Sequence, residues 1–334
     1  MGDRIIFYRI LLLLRGLKAD VGENMRAVPA FFIILFSLTL NSFSLEKGQI
    51  EIGGVKRTFY YSVPKIAASS ETAKLPVLMA LHGGGGTGKK FSKLDGGRLV
   101  ALSEKNGFII VFPEGKKKRW NDGRAVEFSE SDDVGFLSAL IDHFVENFRA
   151  DKERVFFAGI SNGGFMSFTL AFEIPEKIKG IAIISSSLQK KMVEQYKKTK
   201  PLPVLVINGD KDTLIPLQGG KPGKRMLIKR KLGEIISYAD MKAFWLENNG
   251  CDAEKVSQKT LDSDPEDETR VFAEEFNDCA GAKAAFYLIE NGGHTWAGGK
   301  QYLPEFMIGK TSRDINASEV IADFFGLVMV KSKE

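Results

Sequence analysis

The ten residues Val155-Phe156-Phe157-Ala158-Gly159-Ile160-Ser161-Asn162-Gly163-Gly164 constrain the fold of this chain more than any other stretch. Four apolar residues in a row suit a strand buried on both faces, and 162–173 follows as a helix. Between them stands Gly-x-Ser-x-Gly. A strand that passes to a helix in so few residues must turn sharply, and small residues beside the serine relieve the crowding. The same alternation runs along the chain. Residues 49–52 and 56–63 read as a hairpin around Gly53-Gly54. Further strands are expected at 76–81, 108–112, 178–184, 204–207 and 285–289. Helices are expected at 92–106, 132–148, 237–249 and 315–330. Strands separated by helices need crossover connections, so an α/β fold with a mostly parallel central sheet and helices on both faces follows. The Gly- and Lys-rich stretch 219–233 reads as an excursion, and the acidic stretch 262–268 as a turn.

A serine hydroxyl is a poor nucleophile near neutral pH and needs a base. The chain has three histidines. In an α/β-hydrolase arrangement the order along the chain is serine, acid, histidine, which excludes His82 and His143 and leaves His294. His294 sits in Asn291-Gly292-Gly293-His294-Thr295-Trp296, just beyond an expected strand. His82, at a strand end beside four glycines, is expected to have a structural hydrogen-bonding role. The acid belongs after a late strand, where Asn208-Gly209-Asp210-Lys211-Asp212 offers two aspartates. One would orient the imidazole and the other would be a turn residue, and residue physics alone leaves both open. The oxyanion needs two preorganised donors. The Asn162 amide directly follows the serine, and the loop His82-Gly83-Gly84-Gly85-Gly86 lets its backbone, at Gly84, approach a substrate closely. That loop lacks the Gly-Lys-Ser/Thr ending of a phosphate-binding loop. No metal or organic cofactor is required by such chemistry.

The N-terminus is read as a targeting segment. Met25-Arg26, an apolar run from Val28 to Leu40 and a Ser-x-Ser site ending at Ser44 have the form of a signal peptide over 25–44. Residues 1–24 read as an upstream extension preceding the true start. Residues 45–334 are expected to form a single catalytic domain in a secreted or periplasmic protein, without stable membrane insertion once the signal is cleaved. In an oxidising compartment the two cysteines, Cys251 and Cys279, have one possible pairing, and a disulfide is expected. The net charge of +5 is modest. Its local runs, Lys116-Lys117-Lys118-Arg119 and 224–231, read as solvated loops, and no motif points to a nucleic-acid partner.

With these residues in hand, the chain resembles the secreted esterases grouped as polyhydroxybutyrate depolymerase-like and feruloyl esterase-like proteins, of the α/β-hydrolase superfamily. The carriers are Leu81-His82-Gly83-Gly84-Gly85, Phe112-Pro113-Glu114-Gly115, Arg119-Trp120-Asn121-Asp122-Gly123-Arg124, Asp132-Asp133-Val134-Gly135-Phe136, the Ser161 turn and Gly292-Gly293-His294-Thr295-Trp296. The resemblance implies Asp212 as the acid, since its pattern His-Gly-x-x-Asp-x-x-Val/Ile-Pro aligns on Gly209 and Pro216. This chain departs from the pattern with Asn208 in place of histidine and Ala297 in place of proline. Cysteines near the positions of Cys251 and Cys279 also recur in the family. The implied activity is hydrolysis of short-chain, feruloyl, acetyl-polysaccharide or hydroxyalkanoate esters, on small or soluble polymeric substrates. Trp120 and Trp296 are expected to line the substrate pocket. A serine peptidase of the same fold and a non-catalytic binding protein on a hydrolase scaffold are the competing readings. A propeller-sized extra segment would favour the first and a lost triad member the second, and the chain shows neither.

Overall fold

Ten strands form one sheet among the described residues of the computed structural model, which are 45–65, 73–124, 130–223 and 232–328. They are β1 (Glu46–Ile52), β2 (Val55–Ser62), β3 (Leu75–Leu81), β4 (Ile109–Pro113), β5 (Ala150–Ile160), β6 (Ile181–Ile184), β7 (Val204–Gly209), β8 (Ser257–Leu261), β9 (Arg270–Phe276) and β10 (Ala284–Glu290). Their order in space is β1-β2-β4-β3-β5-β6-β7-β10-β9-β8. The central run from β4 to β10 is parallel, and antiparallel pairs finish both edges. The expected leader and extension, 1–44, lie outside the described residues.

Each central strand sends alternate residues to opposite faces, and both faces are covered. On one, Val77, Met79 and Leu81 of β3 join a core with α3 (Asp133–Asn147), α4 (Asn162–Glu173) and α6 (Tyr238–Asn249). On the other, Leu78 and Ala80 join α2 (Arg98–Asn106) and α8 (Ala317–Phe324). Short helices α1 (Gly88–Phe91), α5 (Lys190–Tyr196) and α7 (Glu305–Ile308) complete the set. None of the described helices is long and apolar enough to cross a membrane.

Three elements differ from expectation. The helix expected at 92–106 begins only at Arg98, as α2, because Gly96 and Gly97 both take positive φ, 74° and 86°, and the separate short helix α1 precedes the expected span. The last helix is shorter than expected. It starts where the Asn316 side chain accepts the amides of Ser318 and Glu319, at 3.0 and 3.3 Å. The hairpin β8–β9 was not anticipated. β8 is almost wholly polar and exposed, and it exists by pairing with β9, which buries Val271, Ala273 and Phe276. The acidic stretch 262–268 is the turn of this hairpin, with a short helical turn at Pro265–Asp267.

Cys251 and Cys279 form a disulfide, with Cα atoms 4.1 Å apart. The bond closes a loop of sequence separation 28 that contains the β8–β9 hairpin, and it lies before the amino end of β10. On the chain-entropy model such a loop closure stabilises by about 3–4 kcal/mol. Replacing both cysteines with serine is expected to lower the unfolding free energy in urea by that order. A change below about 1 kcal/mol would show that the hairpin holds without the crosslink.

Candidate active site

β5 ends at Ile160 and α4 begins at Asn162, leaving Ser161 alone to make the turn. Its φ of 55° and ψ of −121° are unfavourable for a residue with a side chain, at a cost of about 1–3 kcal/mol. The turn is held by the Ser161 amide donating to Ile184 O at 2.9 Å, while Ser161 O accepts from Ser186 Oγ at 2.6 Å. The glycines are required by contact. A methyl on Gly159 would lie 2.3 Å from the Gly163 carbonyl, and one on Gly163 would lie 2.2 Å from Leu81 O. The serine is half-buried at the carboxyl end of the sheet.

Two other strands deliver Asp212 and His294 to the same end. β7 leads to Asp212 and β10 to His294. Asp212 Oδ2 lies 2.7 Å from His294 Nδ1, and both side chains are buried. Asp212 Oδ1 accepts the amides of Leu214 and Ile215, at 2.7 and 2.8 Å. A carboxylate so engaged accepts, so Nδ1 donates, and in the neutral imidazole Nε2 is the nitrogen left to accept. Asp210 turns away, to Lys211 Nζ at 3.1 Å. The two strand ends meet through glycine, since a methyl on Gly209 would lie 2.2 Å from Gly292 O. The His294 amide donates to Ile308 O at 2.5 Å, and Tyr302 Oη donates to His294 O at 2.7 Å. Burial, and then the Asp212 charge, push the Tyr302 phenol well above its ordinary range.

The glycine loop after β3 abuts the serine turn. A methyl on Gly83 would lie 3.5 Å from Ser161 Cβ, and one on Gly84 would lie 3.7 Å from Asn162 Cβ and 2.9 Å from Arg119 Nη1. Asn162 is fixed by its side chain. Its Oδ1 accepts the Trp120 amide at 2.8 Å, and its Nδ2 donates to Trp120 O and Asp122 Oδ2, at 3.0 and 2.7 Å. Asp122 is neutralised by Arg124 at 2.6 Å, whose guanidinium lies over the Phe165 ring. His82 clamps the loop from below. Gly83 O can only accept, so Nδ1 donates to it at 2.8 Å, and Nε2 accepts the Gly115 amide at 3.0 Å.

Trp120 and Trp296 are each 1% exposed. Trp120 spends its indole N–H on His82 O at 2.9 Å, under the glycine loop. Trp296 packs on Phe91 and donates to Ser318 Oγ at 3.0 Å, on the face that carries α2 and α8. Neither ring presents a face to solvent; Trp120 holds a backbone carbonyl of the glycine loop, and Trp296 a side-chain hydroxyl of α8. Asn208, the departure from the family pattern, ties β7 to the loop after β6 by donating to Ser186 O at 2.9 Å. Tyr302, Asp122 and Arg119 were not singled out in the sequence as site residues. Asp122 and Arg119 stand in a noted motif, whereas nothing marked Tyr302. Among the described residues no cluster of His, Cys, Asp or Glu side chains is arranged to hold a metal ion.

A doubly wound sheet with a strained serine turn, an aspartate–histidine pair and a glycine loop at one end defines an α/β-hydrolase. Residues 63–243 match the phospholipase/carboxylesterase family, and the chain belongs to that family and so to the carboxylic ester hydrolases. The matched span holds Ser161 and Asp212, and His294 lies beyond it. NocK of Nocardia uniformis subsp. tsuyamanensis, named as an esterase, is 28% identical over 255 residues, covering 75% of this chain and 73% of its own. Feruloyl esterase B of Piromyces equi is 26% identical over 235 residues, 67% of this chain but 40% of the relative's length. An acetyl xylan esterase from Aspergillus awamori shares the fold, with a TM-score of 0.52 at 15% identity over 85% of this chain and all of the other.

The His82 clamp has a pH signature. Burial pushes its imidazole down to about 4. An unfolded histidine titrates near ~6.5, so between those values the unfolded chain binds a proton that the folded chain refuses. The stability is therefore full above pH ~6.5 and is lost as the pH falls toward 4, by on the order of 3 kcal/mol. Urea unfolding across this window is expected to show that slope, and His82→Gln to flatten it. A variant with an unchanged slope would place the titration elsewhere.

Proposed function

We propose that this protein is an extracytoplasmic serine esterase whose catalytic domain spans 45–334, exported on the signal peptide 25–44. The observation that carries the reading is the Asp212–His294 hydrogen bond of 2.7 Å, on a carboxylate whose other oxygen is taken by two amides. An imidazole held in that tautomer keeps Nε2 as the nitrogen able to take a proton from Ser161.

Ser161 Oγ attacks the ester carbonyl carbon and passes its proton to His294 Nε2. Asp212 stabilises the imidazolium that forms. The carbonyl oxygen, now an anion, is met by the Gly84 and Asn162 amides. The strained turn, the glycine loop and the bolted Asn162 side chain support this assignment, because they fix those amides before substrate arrives. The tetrahedral species collapses as His294 protonates the leaving alcohol. Water, deprotonated by His294, then releases the acid from Ser161. Substrates are short-chain, feruloyl, acetyl-polysaccharide or hydroxyalkanoate esters, and the name of the Piromyces relative favours the feruloyl class. The disulfide supports the extracytoplasmic location.

The test is a panel of para-nitrophenyl esters, feruloyl esters and peptide amides. Esters are expected to turn over and amides not. Ser161→Ala is expected to lower kcat by about 10⁴–10⁶ with the fold intact. Retention of a tenth of the activity would remove Ser161 from the reaction. Asp212→Ala is expected to cost about 10²–10⁴ in kcat, and Asp210→Ala less than about threefold. The reverse ranking would give the acid's role to Asp210.

A further inference from the structure

Two segments form the rim beside the glycine loop, and both are cationic. Residues 87–93 and 114–119 carry seven lysines and arginines and one acidic residue, Glu114. They are physically joined. Lys118 O accepts the Gly85 amide at 2.8 Å, and Glu114 Oε1 accepts the Lys89 amide at 3.3 Å. A methyl on Gly88 would lie 2.4 Å from Phe112 O, so α1 lies directly on the end of β4. The lysine turn is itself strained, with Lys117 and Lys118 at φ of 51° and 60°. A merely solvated run has no need of two side-chain-bearing residues in left-handed backbone. Here that backbone is what presents Lys118 O to the glycine loop. Lys90, Lys93, Lys116, Lys117 and Lys118 are exposed, and no carboxylate among the described residues pairs with them. Innermost is Arg119, whose guanidinium reaches Gly84.

We propose that this wall binds the anionic chain of an acidic polysaccharide, one bearing uronic carboxylates along with the ester that Ser161 cleaves. The inference rests on the esterase reading and names its substrate class. Charge and ester must share a molecule, because the wall borders the loop that meets the reacting carbonyl. The cations are spread over two segments instead of converging on a point, which suits repeated charges on a polymer and not a single small anion. The wall lacks the exposed aromatic ladder on which single-stranded nucleic acid would stack.

The experiment compares O-acetylated polygalacturonate, an equally acetylated neutral xylan and para-nitrophenyl acetate. The variant is Lys90→Gln/Lys116→Gln/Lys117→Asn, with asparagine at 117 because it tolerates positive φ. In the wild type, kcat/KM on the acidic polymer is expected to exceed that on the neutral one by about tenfold or more at low salt, and to fall as salt rises. In the variant, the ratio of acidic-polymer to para-nitrophenyl acetate turnover is expected to drop by about tenfold, with a flattened salt dependence. Equal use of both polymers by the wild type overturns the proposal, as does a variant that loses both polymers alike. Binding of unacetylated polygalacturonate is measured in parallel and needs no turnover. A wild type inert on every ester but binding that polymer in a salt- and lysine-dependent way would sink the esterase reading and keep the wall. Tighter binding to single-stranded DNA or to phosphatidylglycerol vesicles than to polygalacturonate would overturn it.

Discussion

The site depends on close approaches of backbone to backbone, the first of them where the opening turn of α4 crosses the end of β3. With a methyl on Gly163 placed only 2.2 Å from Leu81 O, no other residue fits that crossing without displacing one of the two elements. The crossing sets two positions at once. It brings the amino end of α4, with the Asn162 amide, against the strand that continues into the glycine loop. It also leaves Ser161 no conformation but the strained one. The same device recurs at Gly209 against Gly292, where the strand ends leading to Asp212 and His294 meet, and at Gly293 against Ile308 O of α7. Relative positions in this site are therefore set by main-chain contact, which is stiffer than any arrangement of side chains.

Strain of this kind persists only where the surroundings over-determine it. Here that work falls to buried polar groups. Asn162, Trp120, Asp122 and Arg124 form one satisfied network, and Asp133 forms another, accepting Arg57 Nη2 at 2.6 Å and the Asn121 amide at 2.7 Å. Buried ion pairs contribute little net stability in general, because desolvation offsets the attraction. Their effect is directional. Asp122 through Asn162 and Asn121 through Asp133 tie the segment after β4 to two different helices, α4 and α3.

Much of this was legible in the sequence, and the reasons differ by element. The parallel strands are short apolar runs because both faces are covered, and the Ser161 turn is marked by residues that sterics demand. The edge hairpin escaped notice because β8 has no apolar pattern of its own, and its pairing partner lies across an acidic turn. Choosing between Asp210 and Asp212 required the family pattern, since both flank the same turn and only geometry distinguishes a carboxylate facing His294 from one facing Lys211. The tryptophans show the limit of residue type as a guide. An indole beside a motif suits a pocket wall or a buried brace equally, and only burial separates them. Tyr302 escaped because its contact is to a backbone carbonyl eight residues away, which leaves no pattern in sequence.

The mouth of the site is chemically divided, and the division follows from how each rim is built. On the proposed oxyanion side the loop is glycine, which would let backbone approach a substrate, and side chains are displaced to the flanking segments, where they are lysines. On the histidine side the chain returns past His294 through residues 301–309. Tyr302 is anchored by its hydroxyl, which lies inward, while the residue as a whole is 41% exposed, and Phe306 on α7 is 85% exposed. An exposed phenylalanine on a one-turn helix adds nothing to the core that its neighbour Ile308 does not already supply. It stands on the same short helix whose Ile308 O accepts the His294 amide, so the turn that holds the histidine's backbone also carries an exposed apolar side chain.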